Sequence, residues 1–85
     1  MSAFPVRVMV QEVWDEIPFS VPSTTSLAEL KRRALETARI RRSAGEYVLK
    51  FRGAELSDES QSLADAGIAP NAALIVLPRH RRPVR

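Results

Sequence analysis

The chain has 85 residues, 45% hydrophobic and 27% charged, a size and balance that predict one globular domain with a single modest core. It contains no cysteine, which excludes a disulfide framework, a thiol nucleophile and a thiolate metal site. The net charge of +3 is uneven, because four of the thirteen basic residues (Arg79, Arg81, Arg82 and Arg85) crowd the end and leave nine against ten acidic side chains over residues 1–78.

The opening MSAFPVRV lacks the basic start and apolar stretch of a signal peptide, and no apolar run approaches the roughly 20 residues of a membrane helix. The expected location is therefore cytoplasmic. Arginine dominates the basic residues and alanine is frequent, a bias of GC-rich bacterial genomes.

Along the chain, Val6, Val8 and Val10 alternate with Arg7 and Met9, the period of a strand with one buried face. Gln11 to Glu16 reads as a polar turn carrying Trp14. Ile17, Phe19 and Val21 then alternate again, and Pro18, which has no N–H for a sheet ladder, places this second strand at an edge. Ser26 followed by Glu29 predicts a capping box at a helix start. From there Leu27, Leu30, Ala34, Leu35 and Ala38 share one helical face, while Lys31, Arg32, Arg33 and Glu36 are expected in water. The helix is expected to end near Arg39, with Ile40 returning to the core.

Tyr47-Val48-Leu49-Lys50-Phe51 predicts a third strand with Leu49 inward and Lys50 outward, closed by a turn at Arg52-Gly53. Glu55 and Leu56 are a candidate short fourth strand. Ser60 to Ala66 fits a single helical turn, after which Gly67 takes a left-handed conformation that lets Ile68 into the core. Pro70-Asn71 turns the chain into a last strand, Ala73 to Leu77, with Leu74 and Val76 buried and Ile75 and Leu77 facing out. Pro78 ends that strand. Residues 79–85 have no apolar periodicity and are expected to be a disordered basic tail beside a domain spanning 1–78.

The order is β-β-α-β-β-β, with one helix whose apolar stripe must lie on one face of a mixed sheet. Over about residues 5–78 the chain resembles ubiquitin. The similarity is carried by Phe51-Arg52-Gly53, Leu56-Ser57-Asp58, the crossing Leu63-Ala64-Asp65-Ala66-Gly67-Ile68 and the final apolar strand. It implies an α+β fold of the β-grasp (ubiquitin-like) type, with the last strand between the first and the third.

No catalytic constellation accompanies that pattern. His80 is the single histidine and falls in the tail, which leaves no enclosed base and no metal site. Asp58-Glu59 reads as turn chemistry, and Glu12, Asp15 and Glu16 as a solvated loop. The three glycines are isolated, so no phosphate-cradling loop is formed. The expectation is a chain that is not an enzyme and takes no cofactor.

Ubiquitin and the sulfur carriers that share its fold act through a C-terminal Gly-Gly, whose unbranched chain threads the activating enzyme. Aligned on the last strand, Arg82-Pro83 falls where that pair belongs, and Gly-Gly occurs nowhere in these residues. The resemblance therefore points to a non-conjugating, ubiquitin-like adaptor that acts by noncovalent protein–protein interaction. Arg7, Met9, Lys50, Arg52, Ile75 and Leu77 are expected on the uncovered sheet face, with Val13 or Trp14 beside them. Three or four apolar side chains gathered there favour a contact site over chance exposure, and the basic residues call for a protein partner with an acidic rim around an apolar patch. The tail RHRRPVR has no interleaved aromatic platform, so nucleic acid is not the expected partner, and no direct membrane insertion is expected.

Two narrower resemblances accompany this one. The run from Leu56 to Ile68 is similar to the small ubiquitin-like components of type VII secretion systems. The opening Ser2-Ala3-Phe4-Pro5-Val6 is similar to the β-grasp accessory subunit of multicomponent aromatic monooxygenases, which buttresses a di-iron hydroxylase without contributing catalytic residues. A covalent modifier with an atypical terminus is a third alternative.

Overall fold

The computed structural model describes residues 4–79. Five strands and one helix follow in the order β1 (Phe4–Val10), β2 (Asp15–Val21), α1 (Leu27–Thr37), β3 (Tyr47–Phe51), β4 (Ala54–Glu55) and β5 (Ala72–Pro78). The sheet order is β2-β1-β5-β3-β4. β1 and β2 form an antiparallel hairpin, and β5 returns parallel to β1 with Val8 opposite Leu74. β5 and β3 are antiparallel, with Leu49 opposite Val76. This is the mixed sheet and single crossing helix of a β-grasp.

Alternation does most of the work. Val6, Val8, Val10, Leu49, Leu74 and Val76 are buried on one face of the sheet, and Leu27, Leu30, Ala34 and Leu35 bring the stripe of α1 down on them. Tyr47, Leu63 and Ile68 close the same core. Pro18 is exposed on the edge strand β2, where its missing N–H leaves no ladder bond unmade.

The helix ends are set by specific hydrogen bonds. Ser26 Oγ accepts from the Glu29 N–H at 3.1 Å, while the N–H groups of Leu27 and Ala28 donate to the carbonyls of Gln61 and Glu59. The first three amides of the helix, which have no partner within it, are thus all satisfied, two of them by the crossing segment. Only half of the expected capping box forms. The Glu29 carboxylate accepts from Arg32 and Arg33 instead of reaching back to the Ser26 N–H, and those two guanidiniums hold it below the usual carboxylate range.

At the other end Arg39 adopts a left-handed φ of 62°. The Ile40 N–H donates to Leu35 O and the Arg39 N–H to Glu36 O, the paired bonds of a Schellman cap. Ile40 then packs against the core as expected.

Lys31 departs from the expectation of a solvated side chain: it is 3% exposed. It stands four residues after Leu27 and three before Ala34, within the apolar stripe. Its Nζ donates to the backbone carbonyl of Tyr47 at 2.9 Å and lies 2.8 Å from both carboxylate oxygens of Glu59. Those partners, contributed by β3 and the crossing, replace the water that burial removes.

Several boundaries also differ. β2 begins at Asp15 rather than Ile17, because Asp15 and Glu16 pair with Val10 and Met9 and can do so with their side chains in water. The hairpin loop is correspondingly shorter, a single 3-10 turn over Gln11–Val13 ended by Trp14. Ser60 to Ala66 forms hydrogen-bonded turns and no helix, with the Ala66 N–H donating to Ser62 O. Gly67 and Gly53 take the expected positive φ, and Asn71 (φ 69°) follows Pro70 in a turn closed by the Ala72 N–H on Ala69 O. Arg79 is not loose: its N–H donates to Glu46 O and its guanidinium to Gly45 O. Residues 80–85, the rest of the expected tail, lie outside the described residues, as do Ser2 and Ala3.

Candidate functional site

The helix covers one face of the sheet, and no described element packs on the other. The register across that open face produces one row spanning all five strands. Glu55 of β4 stands opposite Lys50 of β3, Lys50 opposite Ile75 of β5, Ile75 opposite Met9 of β1, and Met9 opposite Glu16 of β2. On one side of it lies the pair Val48–Leu77, and on the other Ala73–Arg7–Pro18. Five of the seven residues expected on this face are therefore neighbours: Arg7, Met9, Lys50, Ile75 and Leu77.

Ile75 is 42% exposed and Met9 and Leu77 are half-buried. Trp14 joins them from the hairpin tip. It is 73% exposed and holds a left-handed φ of 53°, with its N–H donating to Gln11 O at 3.1 Å. Trp14, Met9, Ala73 and Ile75 line an apolar groove of about 240 Å³. Of the two candidates for the hairpin position, Trp14 lines this groove, while Val13 is also exposed but does not.

Arg52 stands apart from the row. It occupies the two-residue turn between β3 and β4 with φ 56°, and its guanidinium lies 5.4 Å from the ring centroid of Phe51, a residue packed against the core.

The charges around the apolar row are mixed, not simply basic. Arg7 lies 3.7 Å from the Glu16 carboxylate, and Arg79 lies 4.0 Å from that of Glu55. Lys50, half-buried at the centre of the face, has no carboxylate within ion-pair distance among the described residues. Val48, Lys50, Leu77 and Arg79 border a second hollow of about 340 Å³ on the far side of β5. Sequence reasoning missed Ala73 and Arg79 as parts of this surface, and also Val48, which lies on the same side of the sheet but is buried. Strand alternation from Lys50 and Ile75 contained the signal for Val48 and Ala73, whereas Arg79 is fixed only by bonds to the loop before β3.

The hairpin tip is braced from the core side. The buried Tyr47 hydroxyl donates to a Glu12 carboxylate oxygen at 2.5 Å, and Arg42 lies 4.0 Å from the other oxygen of Glu12. Burial, and then the carboxylate of Glu12, push the Tyr47 phenol above its usual range. Among the described residues no three His, Asp or Glu side chains are gathered as metal ligands, and no helix is long and apolar enough to cross a membrane.

Solved structures share this arrangement. The ubiquitin-like domain of an Arabidopsis thaliana protein superposes with a TM-score of 0.77 at 18% identity, covering 100% of this chain and 86% of that one. The fold is ubiquitin-like. The ubiquitin of Caldiarchaeum subterraneum aligns with a TM-score of 0.78 at 10% identity, over 95% of this chain and 99% of its own. A de novo designed protein based on ubiquitin gives 0.78 at 15% identity, over 99% and 98%. No family model matches the sequence, and no curated protein does.

Proposed function

We propose that this ubiquitin-like module is an adaptor that binds a protein partner noncovalently through the open face of its sheet. The observation that carries the reading is the cluster of Met9, Ile75, Leu77 and the largely exposed Trp14, side by side on a face that no described element covers. Large apolar side chains gathered in this way, with an aromatic at the border of a groove, are the usual composition of a contact centre.

The test is affinity capture from native-host lysate with the wild-type chain and with the double variant Ile75→Asp/Leu77→Asp. Wild type is expected to retain partners in stoichiometric amount that denaturant releases, and the folded double variant to lose them. Adducts that survive boiling in denaturant, or partners held equally by the variant, would overturn the reading.

A further inference from the structure

The arginines of the chain gather at one end of the sheet. β1 runs into the hairpin turn at Gln11–Val13, β5 lies parallel to β1 and finishes at that end, and β3, antiparallel to β5, starts there. Three segments distant in sequence therefore meet: the hairpin tip, the loop from Arg39 to Glu46, and the exit of β5 at Arg79. Glu12 of the tip accepts from the Tyr47 hydroxyl and lies 4.0 Å from Arg42. Arg79 donates from its backbone and its guanidinium to the carbonyls of Glu46 and Gly45. Arg39, Arg41, Arg42 and Arg79 are exposed at this end, and Arg81, Arg82 and Arg85 follow within six residues of Arg79 along the chain. Glu12, Asp15 and Glu46 are the acidic side chains set against them. Of the thirteen basic and ten acidic residues, that leaves six basic and seven acidic for the rest of the chain. A positive end on a slightly acidic body orients the protein toward a negative surface.

The hairpin tip at this end is apolar. Val13 is 46% and Trp14 73% exposed, adjacent in the turn. The basic tail carries no aromatic side chain of its own, and the fold supplies Trp14 from the hairpin. An indole with an aliphatic neighbour suits the boundary between lipid headgroups and acyl chains, where tryptophan is enriched and where a small apolar anchor needs a basic cluster beside it. Nucleic acid is the weaker match. The hollow beside Arg42, about 100 Å³, is shared with Glu36 and has no aromatic lining, so a base would find there neither a stacking platform nor an unopposed cation. We propose that this end of the protein docks on an anionic lipid surface, with the arginines of the loop after the helix and of residues 79–85 on the headgroup phosphates and Trp14 at headgroup depth. The docking is peripheral, since no described helix is long and apolar enough to cross a bilayer. It uses the end of the sheet and not its open face, so it stands apart from the adaptor reading.

The test is co-sedimentation of the full chain with vesicles of phosphatidylcholine alone and of phosphatidylcholine mixed with phosphatidylserine. Trp14 is the only tryptophan, so its fluorescence reads the tip directly. The protein is expected to bind the mixed vesicles and not the neutral ones, with a blue shift of the tryptophan emission. Binding should be lost as salt rises from about 0.1 to 1 M and the Debye length falls from about 10 to about 3 Å. Arg39→Gln/Arg41→Gln, at exposed positions outside the helix and strands, should weaken binding by about tenfold or more, and Arg81→Gln/Arg82→Gln by a similar factor. Each variant is first checked for folding by its amide NMR spectrum. No binding to the mixed vesicles, equal binding to the neutral ones, or an unmoved emission would overturn the proposal. Undiminished binding by the folded Arg39→Gln/Arg41→Gln variant would do the same, because the tail would then act alone. Salt-sensitive binding to oligothymidylate with the vesicles ignored would overturn it in favour of nucleic acid.

Discussion

Lys31 and Glu59 make an asymmetric pair, and the asymmetry has a measurable consequence. The ammonium is 3% exposed and enclosed by helix, strand and crossing, whereas the Glu59 side chain is 22% exposed and borders solvent. Removing the carboxylate by Glu59→Ala leaves a buried ammonium with the Tyr47 carbonyl as its remaining partner. Breaking a fully buried pair in this way costs about 3–5 kcal/mol, and the partial exposure of Glu59 reduces the expectation to about 2–3 kcal/mol. Lys31→Met is different. Methionine fills the channel of the lysine stem, Glu59 turns to water, and the loss is that of the unpaired Tyr47 carbonyl, about 1 kcal/mol. The double variant should lose little more than Lys31→Met alone, since without the ammonium the carboxylate has nothing to neutralise. Urea unfolding followed by circular dichroism gives all four corners of the cycle. In a thermal scan Glu59→Ala should lower the midpoint by about 10–20 °C. Strictly additive losses, or a Glu59→Ala effect below about 0.5 kcal/mol as for a surface pair, would refute the account.

Tyr47 is the only tyrosine, so its phenolate absorbance reports one site, and the midpoint should lie above pH 10. Because the folded-state pKa is raised, the associated stability is complete below the unfolded value near 10 and is lost as pH rises through the folded one. Wild type should therefore lose stability above about pH 10 more steeply than Tyr47→Phe, and parallel pH profiles of the two would count against the buried phenol. Arg39 holds a left-handed conformation that glycine adopts without strain, so Arg39→Gly should raise stability by about 0.5–1 kcal/mol in denaturant unfolding. A loss of that size would mean that the arginine makes a compensating contact.

Much of the architecture was legible in local periodicity. The alternation of Val6, Val8 and Val10 and of Leu74 and Val76, the stripe from Leu27 to Ala38, and the turn residues Gly53, Gly67 and Asn71 each fix an element through chemistry within a few residues. Pro18 even marked the edge strand. The same alternation named the face on which Met9, Lys50, Ile75 and Leu77 meet. What it could not supply was anything dependent on a partner distant in sequence. Lys31 occupied a stripe position, yet its burial needs Glu59, 28 residues on, and the carbonyl of Tyr47, 16 residues on. Glu29 was drawn from its expected cap by Arg32 and Arg33, a competition among flexible side chains that spacing alone does not rank.

The sequence by itself thus determined the order of the strands and the helix and the apolar residues that line the core, because those follow from periods of 2 and 3.6 residues. Element ends and the form of the crossing over 60–66 did not follow from period. The tertiary structure alone decided which charges are matched. Long-range strand pairing sets Glu55 opposite Lys50 and Glu16 opposite Met9, while the side chains of Glu55 and Glu16 lie 4.0 Å from Arg79 and 3.7 Å from Arg7. Charge pairing acts over a few ångströms in space, whatever the separation along the chain.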